Sequence, residues 1–369
     1  MDSVVLYGAP ISLYTGRARS YLIKSRIPYT EEPLVATHYY ENVLPKAGGR
    51  RSAPTLEFSD GRVIRDSVAI VDYFERRNGD AYAPDSPKQR IVSLLLDVIG
   101  AEGLLRPAMH YRWNQDQLNT DFVVGAFHRM QGDPEFAEER MAHLRSYANP
   151  AMGILPETYA VIERSYGELL SRLQAHFSEH PYFLGSKPCI GDFGMIAPMF
   201  GHLGRDPTPL ALMQRHACRV FRWVERMNRA EPDMGEFGVK NEVYLADDAV
   251  PDTLLEVLKH MARDFVPETR AAGIAINAWL AENPQVPAGT PVERGIGMGS
   301  FELEGVPIET IAQPFRFYLL KRVQTAYEGM QADEQAAVRE LLSACDMIEV
   351  LGLKIHRDIG RSDNLEVWL

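Results

Sequence analysis

Cysteine is scarce in this chain of 369 residues, which holds only Cys189, Cys218 and Cys345. They are odd in number and far apart, which excludes a disulfide framework and the paired spacings of a zinc site. So few thiols suit a reducing compartment, and a cytoplasmic location is the expectation. No basic n-region with an apolar h-region precedes the first strand-like segment, and no uninterrupted apolar run approaches the ~18 residues of a membrane span. A soluble, unexported protein with no membrane partner is expected. Positive charge is in deficit, with 39 Lys+Arg against 50 Asp+Glu and a net charge of -11. Residues 1–80 hold 11 Lys+Arg against 10 Asp+Glu, leaving 28 against 40 beyond them. So acidic a body argues against nucleic acid as a partner. No internal repeat or low-complexity tract is present.

What the chain does hold is a globular composition, 46% hydrophobic and 24% charged, in a length that fits two or three compact units. The most informative stretch is Ser52-Ala53-Pro54-Thr55-Leu56-Glu57-Phe58, followed by Asp66-Ser67-Val68-Ala69-Ile70-Val71-Asp72-Tyr73-Phe74. Proline entering an apolar strand cannot donate to a ladder, so it belongs on an edge or at a special turn, often with a cis bond. Ile70, Tyr73 and Phe74 repeat at helical spacing. The pattern predicts a strand, a turn at Ser59-Asp60-Gly61, a second strand, and a helix whose first amides face outward, a construction that suits a small anionic peptide. Upstream, Val4-Val5-Leu6-Tyr7 reads as a strand, followed by Gly8-Ala9-Pro10-Ile11-Ser12 and a helix with Tyr14, Ala18, Tyr21 and Leu22 on one face.

These motifs, in this order and spacing, resemble the glutathione S-transferase family, closely over residues 3–77 and more loosely over 90–230. The resemblance implies a thioredoxin-like domain over 1–80 and an all-helical domain over 88–249, joined by the proline-bearing linker 81–87. Helical faces at Ile91, Leu94, Leu95, Val98 and Leu105, and at Ile162, Tyr166, Leu169, Leu170 and Leu173, agree with this. Pro181 to Phe193 resembles the family's second signature, a turn and capping box, with Cys189 where Ser or Thr usually caps and Asp192 keeping its half. Residues 250–369 form a mostly helical extension of unassigned role, with apolar faces at Leu254, Leu255, Leu258 and Met261 and at Phe315, Leu319, Val323, Ala326, Tyr327 and Met330. Within it Ser300 to Val306 alternates like a strand and is expected to pair with Leu365-Glu366-Val367-Trp368 in a small sheet.

The resemblance implies a glutathione transferase in which bound glutathione, held as thiolate, attacks an apolar electrophile. It implies a homodimer and no metal. Ser12 is the expected catalytic hydroxyl, with Arg17 and Arg19 at the offsets of the Ser-type pattern; the plain alternative is that Ser12 only caps its helix. Tyr7 and Tyr14, the competing hydroxyls, are expected to pack. Asp66 and Ser67 are expected to receive the ammonium and carboxylate of the γ-glutamyl end at a helix N-terminus. The backbone at Ala53 and Pro54 would bond the cysteinyl peptide, and Arg51 and His38 would face the glycyl carboxylate, although an exposed loop histidine is as good a reading of His38. A pocket for the electrophile is expected beside Met109, His110, Tyr111, Arg112 and Trp113, residues that suit a plain core equally well. His176-Phe177-Ser178-Glu179-His180 matches an inverted zinc-protease motif, but Pro181 ends that helix at once. Gly295-Ile296-Gly297-Met298-Gly299 lacks the strand and helix of a dinucleotide fingerprint. No cysteine stands at position 12 for disulfide exchange. Conjugation, ether cleavage, dehalogenation and cis-trans isomerisation all draw on the same sulfur, and a non-catalytic binding or scaffold protein on the same fold is the rival reading.

Overall fold

The computed structural model describes residues 3–131, 133–231, 235–238 and 241–369. Strand β1 (Val4–Gly8) buries Val4, Leu6 and Tyr7. Helix α1 (Leu13–Lys24) buries Ala18, Tyr21 and Leu22 in the main core, the Tyr21 ring against Phe74 and Phe193, and β2 (Tyr29–Pro33) returns parallel to β1. Strands β3 (Thr55–Glu57) and β4 (Val63–Arg65) form the expected hairpin. Its tip is tightened by the Arg62 amide, which donates to Asp60 Oδ1 at 3.0 Å. Helix α2 (Ser67–Arg77) follows, and the sheet order β2-β1-β3-β4 is that of a thioredoxin-like unit.

The next elements are helical: α3 (Pro87–Val98), α4 (Leu105–Trp113), α5 (Gln117–Gln131), α6 (Pro134–Ala151), α7 (Tyr159–Glu179), α8 (Ile190–Gly201), α9 (Pro207–His216) and α10 (Cys218–Met227). The single helical face read across Arg90 to Leu105 is interrupted by a π-helical turn, Ile99–Gly103, that contains two glycines of low helix propensity. At the start of α8, Cys189 occupies the cap position, and its amide donates to Asp192 Oδ2 at 2.8 Å. Asp192 Oδ1 also accepts from Trp223 Nε1 at 2.8 Å. The carboxylate is thus the anchor of this corner, and a weak sulfur cap is tolerated beside it. Burial pushes the Asp192 carboxyl up to about 6.

Helix α11 (Asp252–Glu282) packs along α7; β5 (Met298–Leu303) and β6 (Val306–Ile311) form a hairpin against it. Helices α12 (Pro314–Glu328) and α13 (Ala332–Ala344) pack on α3, and β7 (Ile359–Ser362) pairs with β8 (Leu365–Trp368). The expected pairing of Ser300 to Val306 with Leu365 to Trp368 is therefore wrong. Glu304 and Gly305 (φ 52 and 79) and Asp363 and Asn364 (φ 47 and 65) each form a two-residue turn, so each strand folds back on its own neighbour. Such turns match strand twist and need little loop closure. The main apolar core runs unbroken from Val4 to Trp368. Among the described residues no helix is long and apolar enough to cross a membrane.

The loop before α1 is fixed by two close contacts. Arg112 Nη1 donates to Ile11 O at 2.8 Å while its guanidinium grips Asp206 at 2.7 Å, both side chains buried. Gly201 lies so near that a Cβ there would sit 2.6 Å from Leu13 Cα and 2.9 Å from Leu13 N. Only glycine lets α8 approach the α1 terminus this closely. Gly201→Ala is expected to cost about 1–3 kcal/mol in denaturant unfolding, the usual range for overpacking; an unchanged midpoint would mean that the contact yields freely.

Candidate functional site

Register places three chain reversals at one end of the sheet. Tyr7 lies opposite Thr55, and Thr55 opposite Arg65. The exit of β1 toward Ser12, the entry to β3 at Pro54 and the exit of β4 toward Asp66 are therefore neighbours. The Ala53–Pro54 peptide is cis, and the Asp66 amide donates to Pro54 O at 3.1 Å, tying the last two together.

Ser12 is half-buried at the N-cap of α1, where its Oγ accepts from the Thr15 amide at 3.3 Å. The bond uses a lone pair and leaves the hydroxyl proton free to donate. The competing hydroxyls have spent theirs. Tyr7 donates to Glu57 Oε2 at 3.0 Å and Tyr14 to Ala101 O at 3.1 Å, and burial raises both phenols above their ordinary range. The two arginines at the expected offsets are engaged elsewhere. Fully buried Arg17 lies 2.5 Å from Asp97 as an ion pair whose N–H groups are not aligned on the oxygen, and Arg19 holds Glu31 at 2.6 Å.

Asp66 takes a left-handed φ of 83°. Its Oδ1 caps α2 by accepting from the Val68 and Ala69 amides at 2.8 and 3.4 Å, and burial raises its carboxyl. Ser67 is fully buried, and its Oγ has no partner among the described residues. An unpaired buried hydroxyl costs about 1–3 kcal/mol, so a polar group arriving there is stabilised. Arg51 sets its guanidinium 5.8 Å from the centre of the Tyr40 ring, with Nε unpartnered. His38 is exposed and faces Glu57 at 3.0 Å, its other ring nitrogen meeting Asn42 at 3.2 Å. Of the two residues expected to meet a glycyl carboxylate, His38 is thus occupied.

The run Met109 to Trp113 does not line an open pocket as a whole. His110 is buried against Glu163 at 2.8 Å, and Arg112 is the brace described above. Trp113 instead packs with Phe127, Val123 and Ile11, an apolar cluster that includes the residue before Ser12. His176 is buried with Nδ1 3.0 Å from Thr253 Oγ1, and burial holds its ring down at about 3. Among the described residues no group of three His, Cys, Asp or Glu side chains could hold a metal. Ser165, His260 and Glu168 imitate a hydrolytic triad, with spacings of 3.4 and 3.5 Å. However, His260 Nε2 lies 2.9 Å from Ser165 O and donates its proton there, and the adjoining cavity of about 30 Å³ admits roughly one water.

Glu102, unremarked in the sequence, lies in the π-helical turn, buried, with Oε2 unpartnered. Burial, with help from Glu268 and Asp66 and against Arg316, pushes its carboxyl up to about 8. The glycines around it were the one signal in the sequence that the helix would open there.

Residues 6–88 match the family model for the glutathione S-transferase N-terminal domain. Similar solved structures include the beta-etherase LigF from Sphingobium sp. strain SYK-6, at 17% identity over 62% of this chain and 96% of that one, TM-score 0.43. Glutathione transferase GSTFuA3 from Phanerochaete chrysosporium is 15% identical over 63% and 99%, TM-score 0.41. A glutathione S-transferase from Methylobacterium radiotolerans, solved with glutathione sulfonate, is 16% identical over 68% and 99%, TM-score 0.37. No curated protein matches the chain.

The raised Glu102 carboxyl makes a signed prediction. Its folded pKa of about 8 exceeds the ordinary value of 4.5, so the folded state binds the extra proton and loses stability as pH rises between those values. Glu102→Gln removes that loss. Relative to wild type, its denaturation midpoint is expected to climb from pH 5 to pH 8 and then stay level; a difference independent of pH would show that Glu102 titrates normally.

Proposed function

We propose that this protein is a glutathione transferase of the Ser type, in which the sulfur of bound glutathione loses its proton to solvent and Ser12 holds it as thiolate by donating a hydrogen bond. The observation that carries this reading is that Ser12, at the N-cap of α1, keeps a free donor while Tyr7 and Tyr14 have committed theirs. The match of residues 6–88 to the transferase N-terminal domain supports it.

The magnitudes are adequate. Bringing a thiol from about 8.5–9 to near 6.5–7 needs roughly 2.7 kcal/mol of differential stabilisation. A helix N-terminus supplies about 0.3–1 kcal/mol, rising to about 2 where it is partly buried, and a hydrogen bond to a charged group about 1.5–3. Together they suffice at the start of α1. In this reading the γ-glutamyl carboxylate takes the Ser67 amide and its unpartnered hydroxyl at the N-terminus of α2, and Asp66 faces the ammonium. Ala53, before Pro54, bonds the cysteinyl peptide in strand fashion, and Arg51 meets the glycyl carboxylate. The electrophile would lie beside Trp113, the half-buried residue that packs on the buried cluster of Ile11 and Phe127.

Calorimetry with glutathione tests the reading, and two variants separate its parts. Ser67→Ala is expected to fold and to lose about 1–3 kcal/mol of affinity, one hydrogen bond to a charged group. Ser12→Ala is expected to keep glutathione but react about ten- to a hundredfold more slowly near neutral pH, because the lost bond raises the bound thiol's pKa by about one to two units. That deficit shrinks as pH rises and solvent deprotonates the thiol unaided. Equal rates for wild type and Ser12→Ala at all pH values would reduce Ser12 to a helix cap, and no heat with the wild type would remove the transferase reading altogether.

A further inference from the structure

The outer edge of β4 should present unpaired backbone groups, because β4 ends the sheet. The tip of the β7–β8 hairpin covers it. Asn364 Oδ1 accepts from the Arg65 amide at 3.0 Å, and Asn364 Nδ2 donates to Val63 O and to Lys46 O, both at 3.0 Å. One side chain thus satisfies both polarities of the edge, as a paired strand would. Arg65 Nε donates to Asn364 O at 2.6 Å, and its guanidinium grips buried Glu366 at 2.6 and 2.8 Å. Arg361 Nη1 donates to the same Glu366 at 2.6 Å, and Arg361 Nη2 donates to Arg65 O. The fit is close: at Gly48, with φ 76°, a Cβ would lie 2.6 Å from Leu365 Cγ and 2.9 Å from Asp363 O. Every one of the contacts to residue 65 falls immediately before Asp66, whose φ of 83° is a strained conformation that the surroundings must hold.

We infer that the C-terminal hairpin is a positioning element of the glutathione site, with Asn364, supported by Arg361 and Glu366, fixing the Arg65–Asp66–Ser67 corner that receives the γ-glutamyl end. The inference rests on the transferase reading above. It assigns residues 250–369 a part in ligand binding, through a hairpin that acts on the strand before the corner. The same segment holds the other wall, since Arg294 Nη2 donates to Arg51 O at 3.1 Å and Arg50 Nη2 to Val292 O at 3.0 Å.

Asn364 has φ 65°, so Asn364→Gly preserves the turn while deleting the three side-chain bonds. Glutathione affinity and KM are expected to worsen about tenfold, the size of one to two hydrogen bonds, with kcat and the bound thiol's pKa unchanged, because Ser12 is untouched. Combination with Ser67→Ala is the decisive arm. If Asn364 acts through the corner, the double variant binds hardly worse than Ser67→Ala alone; a merely structural contact would give additive losses. Hydrogen exchange at the Val68 and Ala69 amides is expected to quicken in Asn364→Gly while the rest of the sheet stays protected. Wild-type binding with no loss in Asn364→Gly, or with additive losses, would overturn the inference and leave the transferase reading standing. No glutathione binding by the wild type would overturn both.

Discussion

A non-glycine residue held at positive φ, Asp66, is the constraint on which the site depends. At 83° the chain turns from β4 directly into α2, so that the first amides of that helix and the Ser67 hydroxyl emerge beside Pro54 and the exit of β1. A relaxed corner would carry the helix terminus elsewhere. The conformation persists because it is bound on every side. Its amide reaches Pro54 O, its carboxylate caps α2, and the residue before it is fastened to the C-terminal hairpin. Strain of this kind is retained where structure over-determines it, and such places are commonly functional.

Arginine does the fastening throughout. Arg112 joins α4 to the loop before α1, and Arg322 reaches Asp72 at 2.7 Å and Asp97 at 3.1 Å, the latter also paired with Arg17. Glu268 is shared between Arg106 and Arg316, and both cations draw its carboxyl below the usual range against the cost of burial. Buried pairs of this kind add little net stability, because desolvation consumes most of the Coulomb gain. Breaking one is costly, since the partner is left charged and unpaired. Their effect is geometric: each buried guanidinium bridges two or more elements, and together they hold α1, α2, α3, α11 and α12 against one another around the helix starts that carry Ser12 and Ser67.

Local rules made half of this legible. The proline before β3, the Asp-Ser pair opening α2 and the serine capping α1 obey turn and capping chemistry that acts within a few residues, and each stands where the sequence predicts it. The mispaired strand of residues 300–306 shows the opposite case. It alternates as a strand only as far as Leu303; Glu304-Gly305 then turns the chain and chooses the partner, and the turn outweighs any distant match. Arg17 and Arg19 stand at the offsets of the Ser-type pattern, yet their partners, Asp97 and Glu31, are set by tertiary packing that spacing does not encode. The same holds for Arg112 and His110, read as pocket residues and found in buried pairs. Asp363-Asn364 is a plain hairpin signal, but nothing in the sequence announces that its tip lands on an edge strand some 300 residues earlier.

The central claim is that the N-terminus of α1 and the free Ser12 donor together make a thiolate of glutathione. Ultraviolet absorbance of the thiolate, titrated against pH in the wild-type complex with glutathione, measures this directly. The account predicts an apparent pKa about two units below the roughly 8.5 of a free cysteine thiol. A bound thiol that titrates at its free value would contradict it.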